Sequence, residues 1–169
     1  MIRRLILTLL LATFTQVHAQ EQPPNVILIL VDDLGWMDLG CQGSDYYKTP
    51  NIDRLAKEGV RFTNGYAACA VCSPTRAAVL TGRYPHRVGV TDWIRSRFQR
   101  GGLGTPDKNP TTYVGGKNRK FLCPPNPYWM EHEERTIAEA LGEAKGYRSA
   151  YIGKWHLGWN WALKDSSFI

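Results

Sequence analysis

A cysteine, a proline and an arginine at short, fixed spacing form the segment of this chain best suited to chemistry. Cys72 lies two residues before Pro74 and four before Arg76. Proline is favoured in the first turn of a helix, so the run predicts a helix that begins near Pro74. The free N–H groups at a helix start favour an anion, and an arginine one turn further on can bind an oxyanion. The residue types therefore predict a nucleophile in a site that handles anions.

The cysteines also allow two other interpretations. Cys69 and Cys72 have the C-x-x-C spacing of redox sites and of half a zinc site, but no second C-x-x-C or close pair of histidines completes a zinc site. A redox C-x-x-C usually opens a helix after a thioredoxin-like strand. In an exported chain, Cys41, Cys69, Cys72 and Cys123 could instead form two disulfides, with three possible pairings.

Two adjacent carboxylates follow an apolar run. Residues 25–31 (N-V-I-L-I-L-V) show no alternation of polar and apolar residues, which predicts a strand buried on both faces. Asp32 and Asp33 come directly after it, where open α/β sheets place their ligands. Carboxylate oxygens suit Ca²⁺ or Mg²⁺, so the pair is a candidate metal site, with an exposed acidic turn as the alternative.

The order of predicted elements indicates an α/β fold, in which helices flank a mostly parallel sheet. Strands are predicted at residues 25–31, 60–63 and 147–152. Helix start and stop signals are Thr49 and Gly59, Pro74 and Gly82, and Thr136 and Gly146, the last pair with a capping box to Glu139. Between about residues 95 and 130 the periodicity fails, and clustered glycines and prolines predict a long loop or insertion.

The first 19 residues predict a secretory signal peptide. A basic start is followed by an apolar run at residues 5–14, shorter than the roughly 20 residues that span a bilayer, and Ala19 suits a cleavage point. A membrane anchor is the alternative. Cleavage removes Arg3 and Arg4 and leaves a mildly basic, exported chain with no later segment that could cross a membrane.

Composition excludes several classes of protein. With 43% apolar and 21% charged residues, the chain is neither collagen-like, nor a low-complexity disordered chain, nor a coiled coil. The formal charge of +6 suits an anionic substrate, but no block of Lys and Arg is long enough to predict a nucleic-acid partner.

Residues 72–82 (C-S-P-T-R-A-A-V-L-T-G) resemble the first signature of the type I sulfatases, in the alkaline-phosphatase-like superfamily. Residues 146–156 (G-Y-R-S-A-Y-I-G-K-W-H) resemble the second signature, and the opening strand with its two acids comes in the same order. The resemblance covers about residues 25–158 and implies an alkaline-phosphatase-like α/β fold that is incomplete in this chain.

The resemblance implies roles for the residues near the nucleophile. Asp32 and Asp33 would ligate a divalent cation, usually Ca²⁺, with Mg²⁺ as the other option. Cys72 would be oxidised by a formylglycine-generating enzyme to Cα-formylglycine, whose gem-diol would sit at that metal. Arg76 would hold the diol hydroxyls and support their ionisation.

The resemblance also implies a reaction, the hydrolysis of an aryl sulfate or a sulfated carbohydrate. One diol hydroxyl would attack sulfur, and the resulting covalent sulfo-enzyme intermediate would break down by elimination. Lys154 would bind the sulfate, and His156 would contact the second hydroxyl and act as the base that expels sulfate. Taken singly, residues such as Lys154 and His156 are more often an exposed cation and a structural histidine than ligands. Together, at the end of a predicted strand and in the order found in the family, they favour the functional interpretation.

Two other functions are compatible with the sequence: hydrolysis of phosphate or phosphonate esters within the same superfamily, and glycan binding by a non-catalytic exported fragment. Because sulfatases are much longer, residues 20–169 are expected to be the N-terminal part of a catalytic domain and inactive alone. The expected partners are a sulfated small molecule or glycan and the formylglycine-generating enzyme. No nucleic acid is expected, and no membrane once the signal is cleaved.

Overall fold

The computed structural model describes residues 23–94, 108–113 and 120–158. Its helices are α1 (Pro50–Glu58), α2 (Cys72–Thr81), α3 (Pro85–Val88) and α4 (Ile137–Lys145). Two 3₁₀ turns, Trp36–Asp38 and Gly40–Gln42, precede α1. The predicted signal peptide and most of the predicted loop lie outside the described residues.

Helices α1 and α4 confirm their predicted ends. Helix α1 follows Thr49 and stops at Gly59, whose N–H donates to the carbonyl of Leu55 at 2.9 Å. Helix α4 has the predicted capping box, in which the Glu139 carboxylate accepts hydrogen bonds from the N–H (2.7 Å) and the hydroxyl (2.8 Å) of Thr136. The ends of α4 are set by local hydrogen bonds, which is why the sequence predicts them. At the start of α1 the Thr49 side chain makes no capping bond, and its hydroxyl donates instead to the Asp53 carboxylate at 2.9 Å.

Helix α2 begins two residues earlier than predicted. The N–H of Thr75 donates to the carbonyl of Val71 at 3.3 Å, so helical bonding reaches back beyond Pro74 and makes Cys72 the first residue of the helix. The helix stops at Gly82, as predicted, because this residue adopts the left-handed conformation with φ 67°. Cys72 is therefore fixed by the helix itself.

No strand is present among the described residues, so the strands predicted at 25–31, 60–63 and 147–152 are not confirmed. A strand requires a neighbour to pair its backbone N–H and C=O groups, and an apolar run by itself predicts burial, not pairing. Here Ile27 is 84% exposed and Ile152 is 94% exposed. The segments around the first and the last of these predicted strands are linked by a hydrogen bond from the Tyr147 hydroxyl to the carbonyl of Pro24 at 2.6 Å.

The main core lies against α2 and α3. It consists of Ala77, Val88, Val90, Ile94, Met130 and Leu157, with Leu80 and Trp155 packed against it. The N–H of Met130 donates to the carbonyl of Leu157 at 2.9 Å, which joins two distant parts of the chain. The core thus joins α2 to three other segments of the chain, at residues 88–94, at residue 130 and at residues 155–157. No helix in the described residues is long and apolar enough to span a membrane.

The described part of the predicted loop contains no helix but is packed in place. The Asn109 side chain accepts hydrogen bonds from the N–H groups of Tyr128 (2.7 Å) and Trp129 (3.4 Å), and donates to the Trp129 carbonyl (2.9 Å). Tyr128 and Trp129 form a second buried cluster. These contacts fix the segment that leads into the main core at Met130.

Candidate functional site

Cys72 and Arg76 lie at the start of α2, which is anchored in the interior by buried residues. Cys72 is half-buried with a free thiol, and Arg76 is only 5% exposed. The buried hydroxyl of Ser73 accepts a hydrogen bond from the N–H of Ile94 at 3.1 Å, and the Thr75 hydroxyl donates to the carbonyl of Cys69 at 2.8 Å. The nucleophile candidate and the arginine therefore share one rigid segment.

The Asp32 carboxylate lies between two cations. One oxygen accepts a hydrogen bond from Nη2 of Arg76 at 2.8 Å, and the other forms an ion pair with Nζ of Lys154. The hydrogen bond from Lys154, followed by that from Arg76, lowers the pKa of Asp32 below its ordinary value. The structure thus brings together three of the predicted site residues from positions more than 40 residues apart in the chain.

Arg76 is held by a second set of acceptors. Its Nη1 donates to the carbonyl of Lys154 at 2.7 Å and to the Tyr151 hydroxyl at 3.2 Å, while that hydroxyl donates to the same carbonyl at 2.5 Å. Burial lowers the pKa of Arg76, but hydrogen bonds from the guanidinium to Asp32 and Tyr151 outweigh it and raise the pKa above its ordinary value. Arg76 therefore stays charged although it is buried.

His156 contacts a loop that sequence reasoning did not single out. The indole N–H of Trp93 donates to Nε2 of His156 at 2.6 Å, and the carbonyl of Ile94 lies 3.0 Å from the same nitrogen. Burial lowers the pKa of His156, the contact with Ile94 opposes this, and the charges of Lys154 and Arg76 lower it further. The ring is therefore neutral at pH 7.

Two of the predicted site residues adopt a backbone conformation that residues other than glycine rarely take. Asp33 has φ 56° and His156 has φ 55°, and they are the only non-glycine residues with positive φ in the part of the chain that the structure describes. Such conformations cost energy and cluster at functional sites, where surrounding contacts hold them.

Two buried polar atoms of the site have no hydrogen-bond partner within the described ranges. They are Nε of Arg76 and Nδ1 of His156. A buried polar group without a partner is costly, so each such atom calls for a partner that the described residues do not supply. An anionic ligand oxygen would satisfy the Arg76 N–H.

The donors present suit a divalent cation by type but not by number. Asp32 and Asp33 offer carboxylate oxygens, whereas Ca²⁺ takes six to eight oxygen ligands. Within residues 23–94, 108–113 and 120–158, no group of three or more His, Cys, Asp or Glu side chains could hold a metal ion. Both oxygens of Asp32 are engaged by Arg76 and Lys154. The two acids could therefore supply only part of a coordination shell.

Sequence reasoning missed Tyr151 and Trp93. Tyr151 falls inside a predicted strand, where an aromatic residue is expected for packing, and no sequence signal marks its hydroxyl. Trp93 is 63 positions from His156, and nothing in the sequence pairs them. Among the predicted site residues, Asp33 and Cys72 have side chains with no hydrogen bond or ion pair within the described part of the chain.

The family to which the chain belongs follows from comparison with known proteins. The family model for Sulfatase matches residues 24–166, which include all six predicted site residues. The chain belongs to the sulfatase family.

Individual relatives agree with this family. The chain is similar to human arylsulfatase A (41% identity over 83% of this chain), to the N-acetylgalactosamine-6-sulfatase of Canis lupus familiaris (42% over 81%) and to human steryl-sulfatase (40% over 83%). These matches cover 22%, 22% and 20% of the respective relatives. The chain therefore spans about a fifth of the length of these curated relatives.

Solved structures are similar as well. The crystal structure of Ps i-CgsB matches with 37% identity and a TM-score of 0.59, covering 81% of this chain and 24% of that one. Ps i-CgsB in complex with k-i-k-neocarrahexaose matches with 36% identity and the same TM-score and coverage. Together with the family, these matches support the alkaline-phosphatase-like α/β fold, although the described residues do not form its sheet.

Proposed function

We propose that the complete protein containing these residues hydrolyses sulfate esters. The observation that carries the proposal is the cluster of Asp32, Arg76 and Lys154 beside the start of α2. In it, Arg76 is buried and charged, and its Nε–H has no partner among the described residues. A sulfate ester is anionic and repels an anionic nucleophile, so its hydrolysis needs fixed positive charge beside the nucleophile. Membership of the sulfatase family supports this assignment.

Cys72 is the proposed nucleophile position. Its half-buried thiol is free, and it is the first residue of α2, where helix N–H groups favour negative charge. Oxidised to Cα-formylglycine, this residue would supply a hydrated aldehyde with two hydroxyls, one to attack sulfur and one to allow release of the sulfate. Arg76, one helical turn further on, would hold those hydroxyls because its guanidinium is fixed by three acceptors.

Asp32 and Asp33 are the proposed protein ligands of a divalent cation, Ca²⁺ or Mg²⁺. When bound, the cation would stabilise negative charge on the reacting oxygens. The left-handed backbone at Asp33 turns the chain directly after Asp32, so the two neighbouring acids belong to one sharp bend. Further oxygen ligands would have to come from outside the described residues.

Lys154 and His156 are the proposed sulfate-binding residues. The Lys154 side chain is 45% exposed, so its ammonium can meet both Asp32 and an incoming sulfate. His156 is neutral because of its burial and its cationic neighbours, and a neutral imidazole can serve as an acid–base group near pH 7. Lys154 would neutralise charge, and His156 would handle the proton of the second hydroxyl.

The proposed substrate is an aryl sulfate or a sulfated carbohydrate. The curated relatives include an arylsulfatase and an N-acetylgalactosamine-6-sulfatase, and a structural relative was solved with an oligosaccharide. The proposed partner during maturation is a formylglycine-generating enzyme that reads the run from Cys72 to Arg76. We further propose export, on the strength of the predicted signal peptide at residues 1–19.

The modification is tested by mass spectrometry of the tryptic peptide 62–76 from protein produced with a formylglycine-generating enzyme. The expected result is the mass loss that converts the Cys72 thiol into an aldehyde, together with reaction with an aldehyde probe. A Cys72→Ala variant is the matched control. An intact thiol, or a disulfide between Cys69 and Cys72, would contradict the proposal and favour the redox interpretation.

The reaction is tested with two substrates that share one leaving group, nitrophenyl sulfate and nitrophenyl phosphate, on the complete protein. A higher kcat/KM for the sulfate, lost in Cys72→Ala, is expected. Preference for the phosphate would favour a phosphate or phosphonate ester hydrolase. Binding of a sulfated oligosaccharide without any hydrolysis would favour a non-catalytic glycan-binding role.

A further inference from the structure

A triangle of hydrogen bonds joins Tyr151 to the two cations of the proposed site. The Tyr151 hydroxyl donates to the carbonyl of Lys154 at 2.5 Å. Nη1 of Arg76 donates to the same carbonyl at 2.7 Å and to the Tyr151 oxygen at 3.2 Å. The proposed function gives roles to Arg76 and Lys154 and none to Tyr151, although the hydroxyl directs both of these hydrogen bonds into the site.

The hydroxyl of Tyr151 is held in place by its backbone and by its ring. Gly153 has φ 114°, and this bend lets the carbonyl of Lys154 meet the side chain of a residue only three positions earlier. The phenol ring stands edge-on to the indole of Trp155, with centroids 5.1 Å apart and planes inclined by 88°. Because Trp155 packs against the main core, the ring of Tyr151 is tied to the interior.

The hydroxyl also completes the hydrogen bonding of a buried guanidinium. Nη1 of Arg76 carries two N–H groups, and the Lys154 carbonyl and the Tyr151 oxygen are the two acceptors that it reaches. Arg76 is only 5% exposed, so loss of the hydroxyl would leave a buried N–H without its acceptor. With Nη2 bound to Asp32, these contacts set the plane of the guanidinium and therefore the direction of its unpartnered Nε–H.

The same triangle fixes the backbone from which the Lys154 side chain extends. The carbonyl of Lys154 accepts from both Tyr151 and Arg76, while its ammonium pairs with the Asp32 oxygen that Arg76 does not use. The two cations are therefore linked twice, once through the Asp32 carboxylate and once through this carbonyl. Tyr151 is the uncharged member of the second link.

We propose that Tyr151 is a positioning residue that locks the guanidinium of Arg76 to the backbone of Lys154, so that both cations are held in a fixed arrangement around an anion. This inference rests on the proposed function, in which these cations stabilise charge on the nucleophile and on the sulfate. Fixed donors act mainly on charge that develops in the transition state, so loss of the lock is expected to affect kcat more than KM.

The test compares two tyrosines of the same segment in the complete protein. Tyr151→Phe removes the hydroxyl but keeps the ring beside Trp155. The matched control is Tyr147→Phe, because the Tyr147 hydroxyl also donates to a carbonyl, that of Pro24 at 2.6 Å, but contacts no cation of the site. Each variant loses one hydrogen bond to a carbonyl, so we expect both to lower the unfolding temperature.

Kinetics with nitrophenyl sulfate separate positioning from stability. We expect Tyr151→Phe to lower kcat about tenfold, the effect of one lost hydrogen bond, with KM little changed because no charge is removed. Tyr147→Phe should retain kcat. An unchanged kcat in Tyr151→Phe, or equal losses in the two variants, would overturn the positioning role. Formylglycine content at residue 72 is measured in parallel, so that a loss of modification is not mistaken for a loss of positioning.

Crystal structures of the complete protein and of Tyr151→Phe provide a readout that needs no turnover. We expect the triangle in the unsubstituted protein and a reoriented Arg76 guanidinium in the variant. Absence of the triangle, or an unmoved guanidinium in Tyr151→Phe, would overturn the inference. If the variant does not fold, the unsubstituted structure alone decides. A complete protein without any sulfatase activity would overturn the proposed function, while the two crystal structures would still test the lock.

Discussion

Asp32 holds two cations that reach it from α2 and from the segment after residue 153. Arg76 is almost fully buried and cannot be neutralised by deprotonation, so its fixed position depends on the acceptors around it. Lys154 is nearly half exposed and is correspondingly less constrained. The carboxylate therefore anchors one cation in the interior while leaving the other accessible to a ligand.

The first prediction at the residue scale concerns Asp32→Asn, which preserves shape and removes the charge. Arg76 would retain its carbonyl and Tyr151 contacts but lose its counterion, and a buried charge without a partner is unfavourable. We expect kcat to fall roughly 100-fold, as for loss of one preorganised electrostatic partner, together with a lower unfolding temperature. Sulfatase assays and thermal unfolding measure the two effects. Asp45→Asn, an exposed acid outside the cluster, is the control, and near-normal activity of Asp32→Asn would contradict the expectation.

The second prediction at this scale is a pH dependence of stability. The pKa of His156 is lowered in the folded protein, first by burial, so the unfolded state binds more protons between that lowered pKa and about 6.5. The stability contributed by the neutral ring is complete above about pH 6.5 and is lost as the pH falls through the folded-state pKa. We expect the unfolding temperature of the complete protein to decrease over this range.

Two variants check the origin of that pH dependence. His156→Gln cannot titrate and should flatten the decrease in unfolding temperature, whereas His86→Gln, which changes a histidine outside the site, should preserve it. Equal slopes for His156→Gln and the unsubstituted protein would show that another group is responsible.

At the scale of elements, both ends of α1 and α4 and the end of α2 were predictable, and the strands were not. Thr136, Glu139 and Gly146 act through local hydrogen bonds and local dihedral preferences, which a sequence records directly. Helix α3 was missed although Pro85 begins it and Gly89, with φ 78°, ends it, because four residues are too few to show periodicity. The strands depend on pairing with distant segments, and a run of apolar residues does not specify the partner.

The prediction at this scale concerns the capping box of α4. Thr136→Ala removes the hydroxyl that bonds to the N–H and carboxylate of Glu139, and we expect a loss of about 1 kcal/mol in the free energy of unfolding. Thr136→Ser keeps the hydroxyl and should retain most of the stability. Urea unfolding of both variants makes the comparison, and equal losses would show that the methyl group, not the cap, is important.

At the scale of the whole molecule, the candidate site was predictable in part. Cys72, Arg76, Lys154 and both acids come from sequence signatures, but the proximity of Asp32 to Arg76 and Lys154 required the fold. The contact between Trp93 and His156 left no trace in the sequence, because it joins a segment outside the signatures to a residue inside one. Motifs specify which residues react, whereas tertiary contacts specify how they are held.

The prediction for the whole molecule concerns its exposed apolar surface. Ile27 and Ile152 are largely exposed, and so are most of the apolar side chains at residues 25–31 and 147–152. We expect residues 20–169, produced alone, to bind a hydrophobic dye and to self-associate, because exposed apolar segments with unpaired backbone favour aggregation. Light scattering at increasing concentration measures the association.

The matched comparison for that experiment is the complete protein, which should neither bind the dye nor associate to the same degree. The variant Ile27→Lys in the shorter chain should reduce self-association. A monomeric, dye-free preparation of residues 20–169 would contradict the expectation.

The first turns of α2 serve two purposes at once. Ser73, Pro74 and Ala77 pack in the interior, and Cys72 and the equally buried Arg76 carry the proposed chemistry. We therefore expect heat or denaturant that loosens this turn to disrupt the candidate site and the core in the same transition. An engineer who wishes to make the protein more heat-resistant should leave this segment alone and alter the exposed faces of α1 and α4. A substitution at the fully buried Ala77 is therefore expected to lower protein abundance more than it alters the chemistry, although this residue directly follows Arg76 of the candidate site.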